Sequence, residues 1–137
     1  MLKDTMLYLA KQEVIRSFVI TNPVARRVAR RFVAGEVLDE AIAVTHALNE
    51  RHISVTLDHL GENVADAAEA EGAARDYITM LDCIHSQGAE ANISIKLTAL
   101  GLDIDEQLCQ ANLARVLERA NAYQTFVRVD MEGSAYT

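Results

Sequence analysis

Lys96 lies in the run Ile93-Ser94-Ile95-Lys96-Leu97, surrounded almost wholly by apolar side chains. A lysine walled in this way is costly unless an anion pairs with it. Two chemistries follow. The ammonium can hold an anionic substrate group, or the free amine can form a Schiff base with a carbonyl. A purely structural ion pair is the plain alternative. Asp130 and Glu132 close one β-branched stretch, and Asp58, His59 and Glu62 close another. Asp130, on the strand expected beside Lys96, is the expected partner of the lysine. Asp58, His59, Asp130 and Glu132 are also ligand types for Mg²⁺, Mn²⁺ or Zn²⁺. Lys96 would oppose a cation there, so no metal is expected. His59 reads as a loop residue, and His46, His52 and His85 as surface residues.

These residues need elements to position them. Apolar spacing predicts helices over 3–19 and 24–33, the second opened by Asn22-Pro23 and carrying Arg26, Arg27, Arg30 and Arg31 on one side. A third helix is expected over 38–51, a strand over 52–58 and an Ala-rich helix over 66–87 that Gly88 stops. A strand over 91–98, a helix over 105–120 and a strand over 125–130 complete the pattern. Strands alternating with helices of this length imply parallel pairing. The architectures that fit are a doubly wound sheet or part of a (β/α)8 barrel. Neither GxGxxG nor GxxxxGK[ST] stands at the first strand–helix turn, so dinucleotide and P-loop folds lack support. In parallel folds, functional groups collect at the C-terminal ends of the strands. The suspicious residues fall there each time.

The chain has 137 residues, of which 50% are hydrophobic and 24% charged, enough for one domain with a core. One Pro, six Gly and no Trp speak against an all-β sandwich and for an α/β chain. The net charge of −7 is unevenly spread: residues 1–35 carry seven Lys/Arg and two acids, residues 36–137 six and eighteen. An acidic body is a poor partner for nucleic acid. The basic arm suits an anionic membrane surface or the acidic body itself. The apolar runs are too short to span a bilayer, and the start does not read as a secretory signal. Cys83 and Cys109 form no CxxC motif and read as small buried hydrophobes in a reducing, cytoplasmic setting.

Four phrases carry a family resemblance. Leu57-Asp-His-Leu-Gly-Glu62, Ser94-Ile-Lys-Leu-Thr-Ala-Leu-Gly-Leu-Asp103 and Val127-Arg-Val-Asp-Met-Glu-Gly-Ser134 fall in order at the expected strand ends, preceded by Arg31-Phe-Val-Ala-Gly-Glu36. Together they resemble the proline dehydrogenase family, in its bacterial single-function type, over the N-terminal half only. The resemblance implies a distorted (β/α)8, TIM-like barrel that binds FAD. It implies oxidation of L-proline to pyrroline-5-carboxylate, the first step of proline catabolism, with electrons passed to a membrane quinone.

Carried over residue by residue, Lys96 would bind the proline carboxylate. Asp130 would orient it as the catalytic candidate, and Met131 would line the flavin. Asp58 and Glu62 would be gate or ion-pair residues. The implied division is a helical arm over 1–51 and a truncated barrel over 52–137, cytoplasmic or peripheral at the inner face of the membrane. The family's later strands are missing. The chain alone is therefore expected to bind FAD poorly and be inactive, needing a second half or self-association. The alternatives are a Schiff-base, aldolase-like barrel fragment using Lys96 and a non-catalytic α/β interaction module.

Overall fold

A computed structural model of the chain describes residues 34–35, 37–61 and 64–136. The two expected N-terminal helices with their arginines, and Glu62, lie outside these residues. Helix α1 (Leu38–Asn49) leads into strand β1 (Val55–Asp58), α2 (Ala67–Ser86) into β2 (Ala91–Ile95), and α3 (Glu106–Ala122) into β3 (Val127–Val129). A 3-10 turn, Ser134–Tyr136, follows. The strands form one sheet in the order β1-β2-β3, parallel throughout. This is the α/β architecture expected from the alternation of strands and helices. Helix α1 belongs to the compact unit that begins at Leu38 and contains the sheet.

Each element follows from local sequence. Asp66 caps α2 by accepting from the Glu69 amide at 2.9 Å, while the Glu69 carboxylate accepts from the Ala65 amide at 2.7 Å. Such side-chain bonds satisfy N–H groups that a helix start leaves open. Asp105 does the same for α3 through the Leu108 amide at 2.8 Å. Along α2 the buried residues are Ala70, Ala73, Ala74, Tyr77, Met80, Leu81 and Ile84, a stripe of helical period. It packs with Leu57, Ile93 and Ile95 of the sheet and with Cys109, Val116 and Ala120 of α3 to form the core.

All three described helices hand over to a strand through the same left-handed turn. His52 (φ 58°), Gly88 (φ 63°) and Gln124 (φ 53°) each follow a helix. The next amide bonds back to the helix: Ile53 to the Leu48 carbonyl, Ala89 to Ile84 and Thr125 to Ala120. This is the Schellman arrangement, which favours glycine because a Cβ crowds the backbone there. One of the three turns uses it. Because these turns consume residues, β1 and β3 begin three and two residues later than periodicity suggested. Strand β2 stops early for another reason. The Leu97 carbonyl accepts from the Leu100 and Leu102 amides, turning the chain away from the ladder.

Candidate active site

Side chains alternate between the faces of a strand. The registers Leu57↔Ile93 and Ile93↔Val127 put Leu57, Ile93 and Ile95 on the helix-covered face. The opposite face takes Thr56 and Asp58 from β1, Asn92 and Ser94 from β2 with Lys96 beyond it, and Arg128 from β3 with Asp130 beyond it. The polar residues of every strand thus share one side of the sheet, and the charged ones gather toward its C-terminal edge.

Lys96 Nζ lies 3.0 Å from Asp58 Oδ2, with the two side chains 21% and 31% exposed. Asp58 pairs in register with Ser94, so the lysine reaches it along a diagonal, two residues further on. The expected ion pair with Asp130 is therefore corrected: among the described residues the lysine pairs with Asp58, on the other flank. The reason is reach, since a four-carbon stem spans to the diagonal neighbour on either adjacent strand. Asp130 is nevertheless well placed. The last rung pairs Ile95 with Val129, and the Asp130 amide donates to the Ile95 carbonyl at 2.9 Å. Continuing that register sets Asp130 opposite Lys96 on the same face.

Past the strands, Glu132 accepts from the Thr98 amide at 3.2 Å and from the Thr98 hydroxyl. The Tyr136 hydroxyl donates to Asp103, lying 2.8 and 2.9 Å from its two carboxylate oxygens. The carboxylate holds the phenol proton and pushes the Tyr136 pKa up. Lys96, Thr98, Asp103, Met131, Glu132, Gly133 and Tyr136 line an open pocket of about 330 Å³. Met131 stands at its rim, 76% exposed. Beneath the loop, burial foremost, then Glu106 and Glu132, push the Cys109 thiol up. Both cysteines are free, Cys109 buried and Cys83 half-buried.

The sequence residues therefore divide. Lys96 meets Asp58 in an ion pair and shares the pocket with Met131, Asp130 is placed only through its backbone amide on Ile95, and Glu62 lies outside the described residues. His59 is half-buried, edge-on to the Tyr77 ring at 5.9 Å, with Nδ1 buried and, among the described residues, without a hydrogen-bond partner. Among the described residues no group of three or more His, Cys, Asp or Glu is arranged to hold a metal. Thr98, Asp103 and Tyr136 were missed as site residues. Thr98 and Glu132 had a signal, since each stands two residues beyond a recognised one, on the same alternation.

Comparison with known proteins adds the family. The family model described as "Proline dehydrogenase" matches residues 41–137. Proline dehydrogenase 1 of Bacillus subtilis (strain 168) is 33% identical over 132 residues, 96% of this chain and 43% of the relative. Proline dehydrogenase of Deinococcus radiodurans is 36% identical over 107 residues, 76% of this chain and 34% of the relative. The crystal structure of proline utilization A (PutA) from Bdellovibrio bacteriovorus, inactivated by N-propargylglycine, superposes with a TM-score of 0.73 at 23% identity. It covers 81% of this chain and 14% of that one, and shows the likeness of fold. The chain spans about 43% of the length of its Bacillus relatives.

Proposed function

The chain belongs to the proline dehydrogenase family, and from that premise we propose that it supplies the substrate-carboxylate side of an FAD-dependent L-proline oxidase. The observation that carries the proposal is the Lys96–Asp58 pair on the polar face of the sheet, at the strand ends, with the Asp130 amide bonded to the Ile95 carbonyl just before the lysine. L-Proline is a zwitterion, and its carboxylate calls for a fixed cation. An ammonium has three donors, so Asp58 can orient Lys96 while the substrate carboxylate takes another direction. Asp130 follows β3 directly, its amide tied to the Ile95 carbonyl one residue before the lysine. A substrate held in this way presents its ring carbon in one orientation, which is where most of a positioning effect arises.

FAD is the cofactor this reading implies. The exposed Met131 thioether at the pocket rim fits the face of an aromatic ring system, since sulfur–aromatic contacts are favourable. Met131 is the residue here that would line it. When bound, the flavin supplies a two-electron acceptor for the hydride equivalent lost as proline becomes pyrroline-5-carboxylate. A quinone at the membrane would be the acceptor of those electrons. Among the described residues no helix is long and apolar enough to cross a membrane. A lysine held in an ion pair serves as an anion-binding group, whereas a Schiff-base lysine reacts as the free amine. The pairing thus favours the carboxylate role.

Three strands cannot close a barrel. Val129, on the helix-facing side of β3, and Phe126 just before the strand are 48% and 62% exposed. A further βα unit would cover them. We therefore assign activity to an assembly in which more barrel units, from a continuing chain, a second chain or a second copy, complete the fold. The test joins this chain to the remaining barrel segments of a family member. A yellow product that reduces a dye with L-proline supports the proposal; a folded, flavin-loaded product inert toward proline rejects it.

A further inference from the structure

The backbone ladder between β2 and β3 ends early. Counted on from Ile95↔Val129, the sequence sets position 96 against 130, 97 against 131 and 98 against 132. The last backbone bond is Asp130 amide to Ile95 carbonyl, because Leu97 already turns away. At the Thr98 position the Glu132 carboxylate takes both the amide and the hydroxyl of Thr98, doing with a side chain what the ladder no longer does. Four residues on, the polarity reverses: Tyr136 donates to Asp103. The segment after β3 is thus tied to the loop after β2 at two points, by one carboxylate from each side.

Resting on the reading just proposed, we infer that Glu132 and Thr98 are positioning residues, whose contact carries the β2–β3 register past its last backbone rung and so fixes Asp130 alongside Lys96. Strand β3 has three residues and only β2 as a neighbour among the described strands. A strand so short and one-sided frays readily. Asp130 sits at its frayed end, between the ladder and Glu132. Without the Glu132–Thr98 contact, Asp130 is held on one side only, and the lysine loses a flank.

The experiment compares Thr98→Val, Glu132→Ala and Thr98→Ser in the flavin-loaded enzyme, together with hydrogen exchange on this chain. We expect Thr98→Val and Glu132→Ala to raise KM for proline about tenfold, the scale of one charge-assisted hydrogen bond, with a smaller change in kcat. Flavin content stays level, and Thr98→Ser, which keeps the hydroxyl, restores KM. In exchange, peptides spanning 98–103 and 130–136 lose protection together in the two disruptive variants, while α2 keeps its own. A wild-type KM in both variants overturns the inference, as does unchanged exchange at 130–136. If the wild-type, flavin-loaded enzyme itself ignores proline, the proposed function fails, and the exchange result alone decides whether the contact holds the register.

Discussion

Asp58 holds Lys96 from the neighbouring strand: the carboxylate belongs to β1, the ammonium follows β2, and they meet at 3.0 Å along a diagonal of the register. The lysine thus follows the middle strand, with a carboxylate of β1 on its ammonium. The pair is less than one-third exposed at either end. It therefore stands between the weak surface ion pair and the costly buried one.

Asp58→Asn is expected to lower stability by about 1–2 kcal/mol, read from the urea midpoint of the chain. In the flavin-loaded enzyme the same variant raises KM for proline, because the ammonium loses one of its guides. A midpoint and KM both equal to wild type would show that the pair does neither.

The left-handed turns predict two opposite shifts. Gln124→Gly, at φ 53°, removes Cβ crowding and should stabilise by about 0.5–1 kcal/mol, the αL cost less the extra chain entropy of glycine. Gly101→Ala should destabilise by about 2–3 kcal/mol. At φ 98° its Cβ would lie 3.1 Å from both the Ala70 Cβ and the Leu108 Cδ2, in a packed loop. Denaturant titration reads both, and a stabilised Gly101→Ala variant would contradict the packing described.

The Tyr136–Asp103 contact carries a definite pH sign. The folded-state pKa of Tyr136 is raised, its hydrogen bond to Asp103 being the main cause. The unfolded chain therefore loses this proton first as pH rises. The contribution to stability is complete below the ordinary tyrosine pKa and is lost as pH climbs through the raised one. Phenolate absorbance of wild type minus Tyr136→Phe should show an ionisation above the ordinary tyrosine range. A difference curve at or below that range would remove the contact.

The two thiols should react in order. Cys109 is buried, with its pKa pushed up, whereas Cys83 is half-buried. A thiol reagent at mildly alkaline pH is expected to modify Cys83 first and Cys109 only as the chain opens, because the thiolate is the nucleophile. Mass spectrometry of the first adduct decides it.

Much of this was legible in the residues. Strand–helix alternation gave parallel pairing, and Gly88 marked the end of α2 through its own chemistry. Lys96 stood out because apolar neighbours make a charge conspicuous. Its partner was not legible: Asp58 and Asp130 are both in reach, and only side-chain packing chooses between them. The turns at His52 and Gln124 were hidden because neither residue signals a left-handed backbone. The tie between Glu132 and Thr98 escaped notice because a threonine at a strand end looks like any β-former, and Glu132 was weighed as a metal ligand.

The most direct measurement is the affinity of the flavin-loaded enzyme for L-proline with Lys96→Met, which keeps the stem and removes the charge. KM should rise about 10- to 100-fold, the range of one charge-assisted hydrogen bond, with flavin content unchanged. Wild-type KM in that variant would contradict a carboxylate-binding role for Lys96.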